Sequence, residues 1–279
     1  MGFISVAVDG PSGAGKSTMA KRLAEALGYV YVDTGAIYRT LGLLARRSGT
    51  DPEDAQAVSE LLKRADIQLR YEADGLQHML LSGEDVTAEI RLPEISQYAS
   101  AVSAQPAVRA FLLDMQRDMA KHFNVIMDGR DIGTVVLPDA QAKIFLTATP
   151  EDRASRRCAE LEDRGTPQDY ETVLAEIVER DRKDSTRAAA PLRRAEDAVL
   201  VDTTGKSLDE SFAIRWTPSG GSWKHENVLC GDLHDHLAFF QLGSSPSRHW
   251  EGAYPGGWRT GLRQSHIAVG SPVPGVCLS

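Results

Sequence analysis

The chain lacks what several large classes of protein need. It has only three cysteines in 279 residues, Cys158, Cys230 and Cys277. An odd, widely spaced set makes neither a disulfide framework nor a metal site. No apolar run approaches the roughly 20 residues that a membrane-spanning helix needs. Positive charge is in short supply: 31 Lys and Arg stand against 39 Asp and Glu, a net charge of −8. Nucleic-acid binders present basic surfaces to the phosphate backbone, so nucleic acid is not an expected partner. The stretch from Met1 to Asp9 has no basic region and leads straight into a loop motif, which argues against a signal peptide. These absences leave a cytoplasmic globular protein as the expectation. Its length suffices for a substantial core.

What is present is patterned. Residues 3–9, FISVAVD, form a short β-branched run that ends in the glycine-rich GPSGAGKST. Such a run predicts a buried parallel strand. STMAKRLAEALG then carries Met19, Leu23, Ala26 and Leu27 at helical spacing, with Gly28 as a stop. YVYVD (29–33) and AIYRTLGLLARR repeat the strand–helix alternation. That order is the start of a parallel α/β sheet. Residues 66–91 differ: two strand-like pieces around Ala73, Asp74 and Gly75 predict a hairpin. Helices are expected near 92–104 and 107–122, strands at 124–128, 142–148 and 198–204, and two charged helices between the last two strands.

Gly10, Pro11, Ser12, Gly13, Ala14, Gly15, Lys16 and Ser17 match G-x-x-x-x-G-K-[ST], and Thr18 follows. Glycines let backbone N–H groups converge on phosphate oxygens, and the helix that opens there favours an anion through its dipole. In this motif the lysine, Lys16, reaches the β- and γ-phosphates and the hydroxyl of Ser17 serves Mg²⁺. ATP with Mg²⁺ is therefore the expected donor. The motif does not say what receives the phosphate.

The acceptor side is read from arginines. Arg39, in DTGAIYR, and Arg130, in GRD, each follow a strand end on the rim where α/β folds bind ligands. Arg180, Asp184 and Arg187 share one helical neighbourhood, and Arg153, Arg156 and Arg157 form another cluster. A lone helix arginine is usually a solvated ion-pair partner. Several together suit a transferring phosphoryl group, whose charge planar guanidinium groups neutralise bidentately.

DGPSGAGKST, VDTGAIYR, SGEDVTAEIR, MDGRDIGTVVLPDA, KIFLTAT, ERDRKDSTRAAAPL and VDTTG, in this order, resemble bacterial cytidylate kinase of the long type, a nucleoside-monophosphate kinase of the P-loop class. The resemblance runs from about Ile4 to Leu208. It implies a P-loop NTPase core, with a parallel five-stranded sheet flanked by helices, in residues 1–48 and 123–212. It also implies an NMP-binding insertion over about 49–122 and a lid over about 150–190. CMP and dCMP are the implied substrates and a monomer the implied state. By the same resemblance, the CMP site falls on Thr34, Tyr38, Arg39, Ser100, Arg109, Arg130, Asp131, Asp184 and Arg187, with Arg180 nearby. Arg153 and Arg157 belong to the lid. A carboxylate such as Asp131 accepts from the N4 amino group of cytosine and repels the carbonyl of uracil. Another small-molecule P-loop kinase, a P-loop regulatory ATPase and an inactive product of a damaged gene remain as alternatives.

The last suggests itself because the pattern breaks near Ile214. All four tryptophans, five of the seven histidines and ten of the 24 glycines lie beyond it, without helical or strand periodicity. Residues 213–279 therefore read as a disordered tail or as the product of a shifted reading frame.

Overall fold

A computed structural model of the chain describes residues 2–72, 76–207, 210–211, 214–219, 222–227 and 258–259. Its centre is a parallel five-stranded sheet in the order β2-β6-β1-β7-β8. The strands are β1 (Ser5–Asp9), β2 (Val30–Asp33), β6 (Val125–Gly129), β7 (Ala142–Thr147) and β8 (Val199–Asp202). β1 and β6 are buried at every position. That explains the apolar runs Val6–Val8 and Val125–Met127 within them, since helices cover both faces of a parallel sheet.

α1 (Lys16–Leu27) packs Met19, Ala20 and Ala24 against Val6, Val8 and Ile144 on one face. α2 (Thr34–Arg47) packs Ile37 and Leu41 into a larger cluster on the other. Each such fully buried aliphatic side chain contributes about 1.5–3 kcal/mol. Between α2 and β6 lie α3 (Ala55–Leu62), β3 (Ile67–Tyr71), β4 (Gln77–Leu81), β5 (Glu84–Asp85), a 3₁₀ turn at Glu89–Arg91, α4 (Pro93–Ala104) and α5 (Pro106–His122). The expected hairpin is β3–β4, antiparallel with Ile67 opposite Leu81. Its turn, Ala73 to Gly75, lies outside the described residues. α6 (Pro150–Asp163) and α7 (Tyr170–Thr186) pack Ala154, Leu161, Val173 and Ile177 into a cluster of their own.

Three local expectations need correction. The GRD turn continues into a π-helical turn at Ile132–Val136. Its cause is Asp9, whose two carboxylate oxygens accept from the N–H groups of Ile132 (2.8 Å) and Gly133 (2.7 Å). Arg187 is not helical with Arg180 and Asp184: it follows the last residue of α7 and its backbone is extended. The tail is not wholly without strands. β9 (Ile214–Ser219) and β10 (Ser222–Asn227) pair antiparallel, and β11 (Trp258–Arg259) pairs with β3. The register leaves two residues between β9 and β10, both glycine in the sequence, which is a hairpin signal of its own. The rest of 213–279 lies outside the described residues.

Candidate active site

The phosphate loop owes its path to glycine. Gly10, at φ +147°, leaves β1 so close to β7 that a Cβ there would stand 2.0 Å from the carbonyl oxygen of Leu146. Gly15, at φ +86°, caps α1 in the left-handed region. α1 has no side-chain cap and no acid in its first turn, so its leading N–H groups remain for an anion. Lys16 is buried and its Nζ donates to the carbonyl oxygen of Pro11 at 2.7 Å. Burial, and then the charge of Arg130, push its ammonium well below the usual lysine range.

Asp128, at the end of β6, joins this loop to the neighbouring elements. Its Oδ2 accepts from Ser17 Oγ at 2.7 Å and its Oδ1 from the Tyr31 hydroxyl at 3.1 Å. Its backbone carbonyl accepts from Thr34 Oγ1 at 2.7 Å, which fixes the start of α2. Burial and the nearby charge of Asp33 raise the Asp128 carboxyl to about 6, against the pull of Lys16.

On the other side of the cleft the charges alternate. Arg109 donates to Asp131, and Arg187 approaches the same carboxylate at 3.5 Å. Arg187 lies 3.8 Å from Asp184, which accepts from Arg130 Nε at 2.8 Å. Burial opposes the ionised form of Asp184, but Arg130 and Arg180 hold its carboxyl below the usual range. Tyr38 lies under Arg109, with the guanidinium carbon 5.5 Å from the ring centre. Arg39 donates to Asp33 Oδ2 at 3.0 Å. Arg39 Nε and Arg180 Nε are buried and make no hydrogen bond. Burial, and then Arg130, push the Arg180 guanidinium down to about 10.

The third wall comes from α6. Arg153 is buried and donates to the carbonyls of Ala148 (2.9 Å) and Ser12 (3.0 Å), and its Nη2 pairs with Asp181 at 2.5 Å. It thus ties α6 and α7 to the phosphate loop. Beside it opens a cavity of about 430 Å³ lined by Pro11, Thr149, Arg153, Asp202 and Thr204 among others.

Two of the residues singled out from sequence are not drawn in. Arg157 pairs with Glu160 one turn along its own helix at 3.1 Å. Ser100 lies on α4, where its carbonyl accepts from the Ser103 hydroxyl, and no hydrogen bond ties its side chain to Asp131 or the arginines. Conversely, sequence reasoning missed Asp9, Asp33, Asp128 and Asp181. A signal existed for Asp128: a carboxylate that closes an apolar strand beside the phosphate loop. Asp33 has a local signal too, as the cap that accepts from the Ala36 N–H three residues on, whereas Asp9 and Asp181 act through bonds to distant residues and leave no local pattern.

The loop at the head of a parallel sheet, the buried lysine and the facing arginines define a P-loop kinase. The family model for cytidylate kinase matches residues 6–214. A cytidylate kinase of Caldicellulosiruptor bescii is 53% identical over 207 residues, which cover 74% of this chain and 91% of that one. One from Pelotomaculum thermopropionicum is 50% identical over 208 residues, covering 75% and 92%. A bifunctional pantoate ligase/cytidylate kinase of Synechococcus elongatus is 50% identical over 208 residues, which make up 73% of this chain and 40% of that one. Among solved structures, a gluconokinase of Sinorhizobium meliloti is 16% identical, with a TM-score of 0.36 over 75% of this chain and 87% of the other. The chain belongs to the cytidylate kinase family.

Proposed function

We propose that the chain transfers the γ-phosphoryl group of ATP to CMP and dCMP. The observation that carries this reading is the pair of buried, unpartnered guanidinium N–H groups on Arg39 and Arg180, close to Lys16 and Arg130. Buried donors are rarely left unmade. Four cations around one cleft with donors to spare fit a site whose missing partners are phosphate oxygens.

The donor side takes the triphosphate on the backbone N–H groups of residues 12–18, with Lys16 leaving Pro11 for the β- and γ-phosphates. The cavity beside Arg153 takes the donor nucleoside. Ser17 and Asp128 offer a hydroxyl and a carboxylate 2.7 Å apart. Such hard oxygen donors fit Mg²⁺, which is normally held by one or two protein groups together with substrate phosphates and water. When bound, Mg²⁺ supplies charge neutralisation on the donor phosphates.

On the acceptor side, Arg39 and Arg130 hold the acceptor phosphate. Asp131 accepts from the cytosine N4 amino group, with Arg109 on the remaining base edge. Tyr38 supports Arg109, Asp184 accepts from ribose hydroxyls and Arg187 braces both acids. No general base is required, because the attacking atom is already a phosphate oxygen and catalysis is positioning and charge neutralisation. Arg180 and Arg153 complete the cationic wall when the α6–α7 lid, to which Arg157 belongs, closes and excludes water. Thr34 takes part through the start of α2, and Ser100 through approach of α4.

Residues 1–212 form the catalytic body and 213–279 an appendage to it. The family match supports that boundary, since it ends at residue 214. Among the described residues no helix is long and apolar enough to cross a membrane, and the net charge of −8 does not favour nucleic acid as a partner. A cytoplasmic monomer fits both facts. The test is an ADP-release assay with CMP, dCMP, UMP and AMP as acceptors. CMP and dCMP are expected to be turned over fastest. AMP or UMP ahead by a wide margin overturns the acceptor, and hydrolysis independent of any acceptor overturns the kinase reading.

A further inference from the structure

Asp33 is shared in a way that holding Arg39 alone does not explain. It ends β2, is buried, and caps α2 by accepting from the Ala36 N–H at 2.9 Å through Oδ1. Its Oδ2 accepts from two guanidinium groups at once, Arg39 Nη2 at 3.0 Å and Arg91 Nη2 at 2.9 Å. Arg91 comes from the 3₁₀ turn of the inserted segment and is half exposed, whereas Arg39 is mostly buried. The same segment grips the Asp33 backbone. Gln77 Oε1 accepts from Asp33 N–H at 2.8 Å and Gln77 Nε2 donates to Asp33 C=O at 3.1 Å, so one side chain stands in for a strand partner. The Tyr71 hydroxyl adds a bond to the Tyr31 carbonyl at 2.6 Å.

A buried carboxylate held by a single arginine cannot release it cheaply, because the departing cation leaves an unpaired buried charge. Two arginines on one oxygen remove that obstacle and also repel each other. We propose that Arg91 is a positioning residue that keeps Asp33 neutralised while Arg39 transfers from Asp33 to the phosphate of the acceptor nucleotide. The exchange couples acceptor binding to the insertion, since the Arg91–Asp33 bond strengthens once Arg39 has left. Gln77 keeps Asp33 in place throughout. This rests on the reading of Arg39 as an acceptor-phosphate ligand.

The experiment compares the full-length protein with Arg91→Ala, Arg91→Lys, Asp33→Asn and the Arg91→Ala/Asp33→Asn double variant. KM is measured for CMP and ATP, and inhibition constants for cytidine, which has no phosphate. Arg91→Ala is expected to raise KM for CMP about tenfold, worth about 1.4 kcal/mol, with kcat and KM for ATP within about twofold. Cytidine should bind it as it binds the parent, and Arg91→Lys should recover most of the loss. In the Asp33→Asn background the same change should cost less than about twofold, because Arg91 acts through that carboxylate. An unchanged KM for CMP in Arg91→Ala overturns the inference, and so does an equal loss in the Asp33→Asn background, which would make Arg91 a direct phosphate ligand. Parent protein that does not turn over CMP refutes the functional reading instead.

Discussion

On the proposed function, the two halves of the cleft would recognise phosphate by opposite means. The donor half is built of backbone: a loop whose path depends on Gly10 and Gly15, the open N-terminus of α1, and one lysine folded onto Pro11. The acceptor half is built of side chains, with Arg109, Asp131, Arg187, Asp184 and Arg130 alternating in sign through buried pairs. Backbone amides recognise the phosphate chain that all nucleoside triphosphates share, and they cannot be altered without moving the chain. Side chains held in pairs set an orientation that fits one base and one phosphate. The donor half is therefore expected to fail all at once when disturbed. The acceptor half should fail one property at a time.

The largest expected effect belongs to Gly10→Ala. The added methyl meets a backbone oxygen 2.0 Å away, and φ +147° is unfavourable to any side chain. Neither can give, so activity should fall by at least about 10³-fold, or the protein should not accumulate in folded form. Next is Lys16→Met, where the ammonium is lost but the buried stem is kept. About 10²–10³-fold in kcat/KM is expected, the usual scale for one electrostatic group in the transition state. The thermal midpoint should not fall, because burial already disfavours this charge. A midpoint several degrees lower would mean that Lys16 holds the loop together even without nucleotide.

Asp131→Asn probes the other half. The substitution should leave turnover with UMP within a few-fold but cut kcat/KM for CMP by about 10–10²-fold, which narrows the discrimination between the two bases. Arg109 and Arg187 also lose their shared counter-charge, so about 2–4 kcal/mol of stability should go with it. Equal losses with both nucleotides would show that Asp131 organises arginines and does not read the base.

The same contrast decided how much was legible in the sequence. The donor half is contiguous, so residues 10–18 announced loop and helix together. The central sheet was legible because buried parallel strands such as SVAVD and VIMDG carry short continuous apolar runs that end in an aspartate. The acceptor half is assembled from β2, α2, α5, β6 and α7. Arg39 and Arg130 stood out there because each follows a strand end on the ligand rim, whereas Arg109 was named only through the family motifs. Asp9 was hidden for another reason. It reads as the polar end of an apolar strand, but its carboxylate clamps the amides of Ile132 and Gly133, more than 120 positions away. The hairpin of β9 and β10 was obscured by the irregular composition around its two glycines.

Acid pH offers a milder disturbance, expected at about tenfold. Burial raises Asp9 and Asp128 to about 6, above the usual aspartate range. Each therefore binds its proton more tightly in the folded than in the unfolded chain. The stability this gives is complete below about pH 4 and is lost as pH rises through about 6, with a plateau above. On the proposed function activity runs the other way, because Asp128 would serve the Mg²⁺ site beside Ser17 as a carboxylate. kcat/KM should fall with an apparent midpoint near 6 as pH is lowered from 8 to 5. Asp128→Asn should remove much of the stability slope between pH 4 and 6 and be no less stable than the parent at pH 8, though poorly active. A parent profile flat in both properties would place the Asp128 carboxyl in the ordinary range.

The smallest expected effect sharpens the boundary of the donor half. Arg157 shares α6 with Arg153, four residues away, yet their surroundings differ. Arg153 is 3% exposed and joins Ser12 to Asp181, whereas Arg157 is 34% exposed and, among the described residues, is paired with Glu160 on its own helix. Exposed pairs at this spacing contribute about 0.3–0.5 kcal/mol, and truncation to alanine restores helix propensity in return. Arg157→Ala should therefore leave the thermal midpoint within about a degree. If α6 closes far enough to bring Arg157 onto ATP, KM for ATP should rise several-fold with KM for CMP unchanged. If it does not, both constants should stay within about twofold. Arg153→Ala is the internal standard: it leaves Asp181 and the Ser12 carbonyl without their donor and should raise KM for ATP at least tenfold. A closed lid that engages both arginines would give the two variants the same donor-side defect, and a lid that engages only Arg153 would separate them.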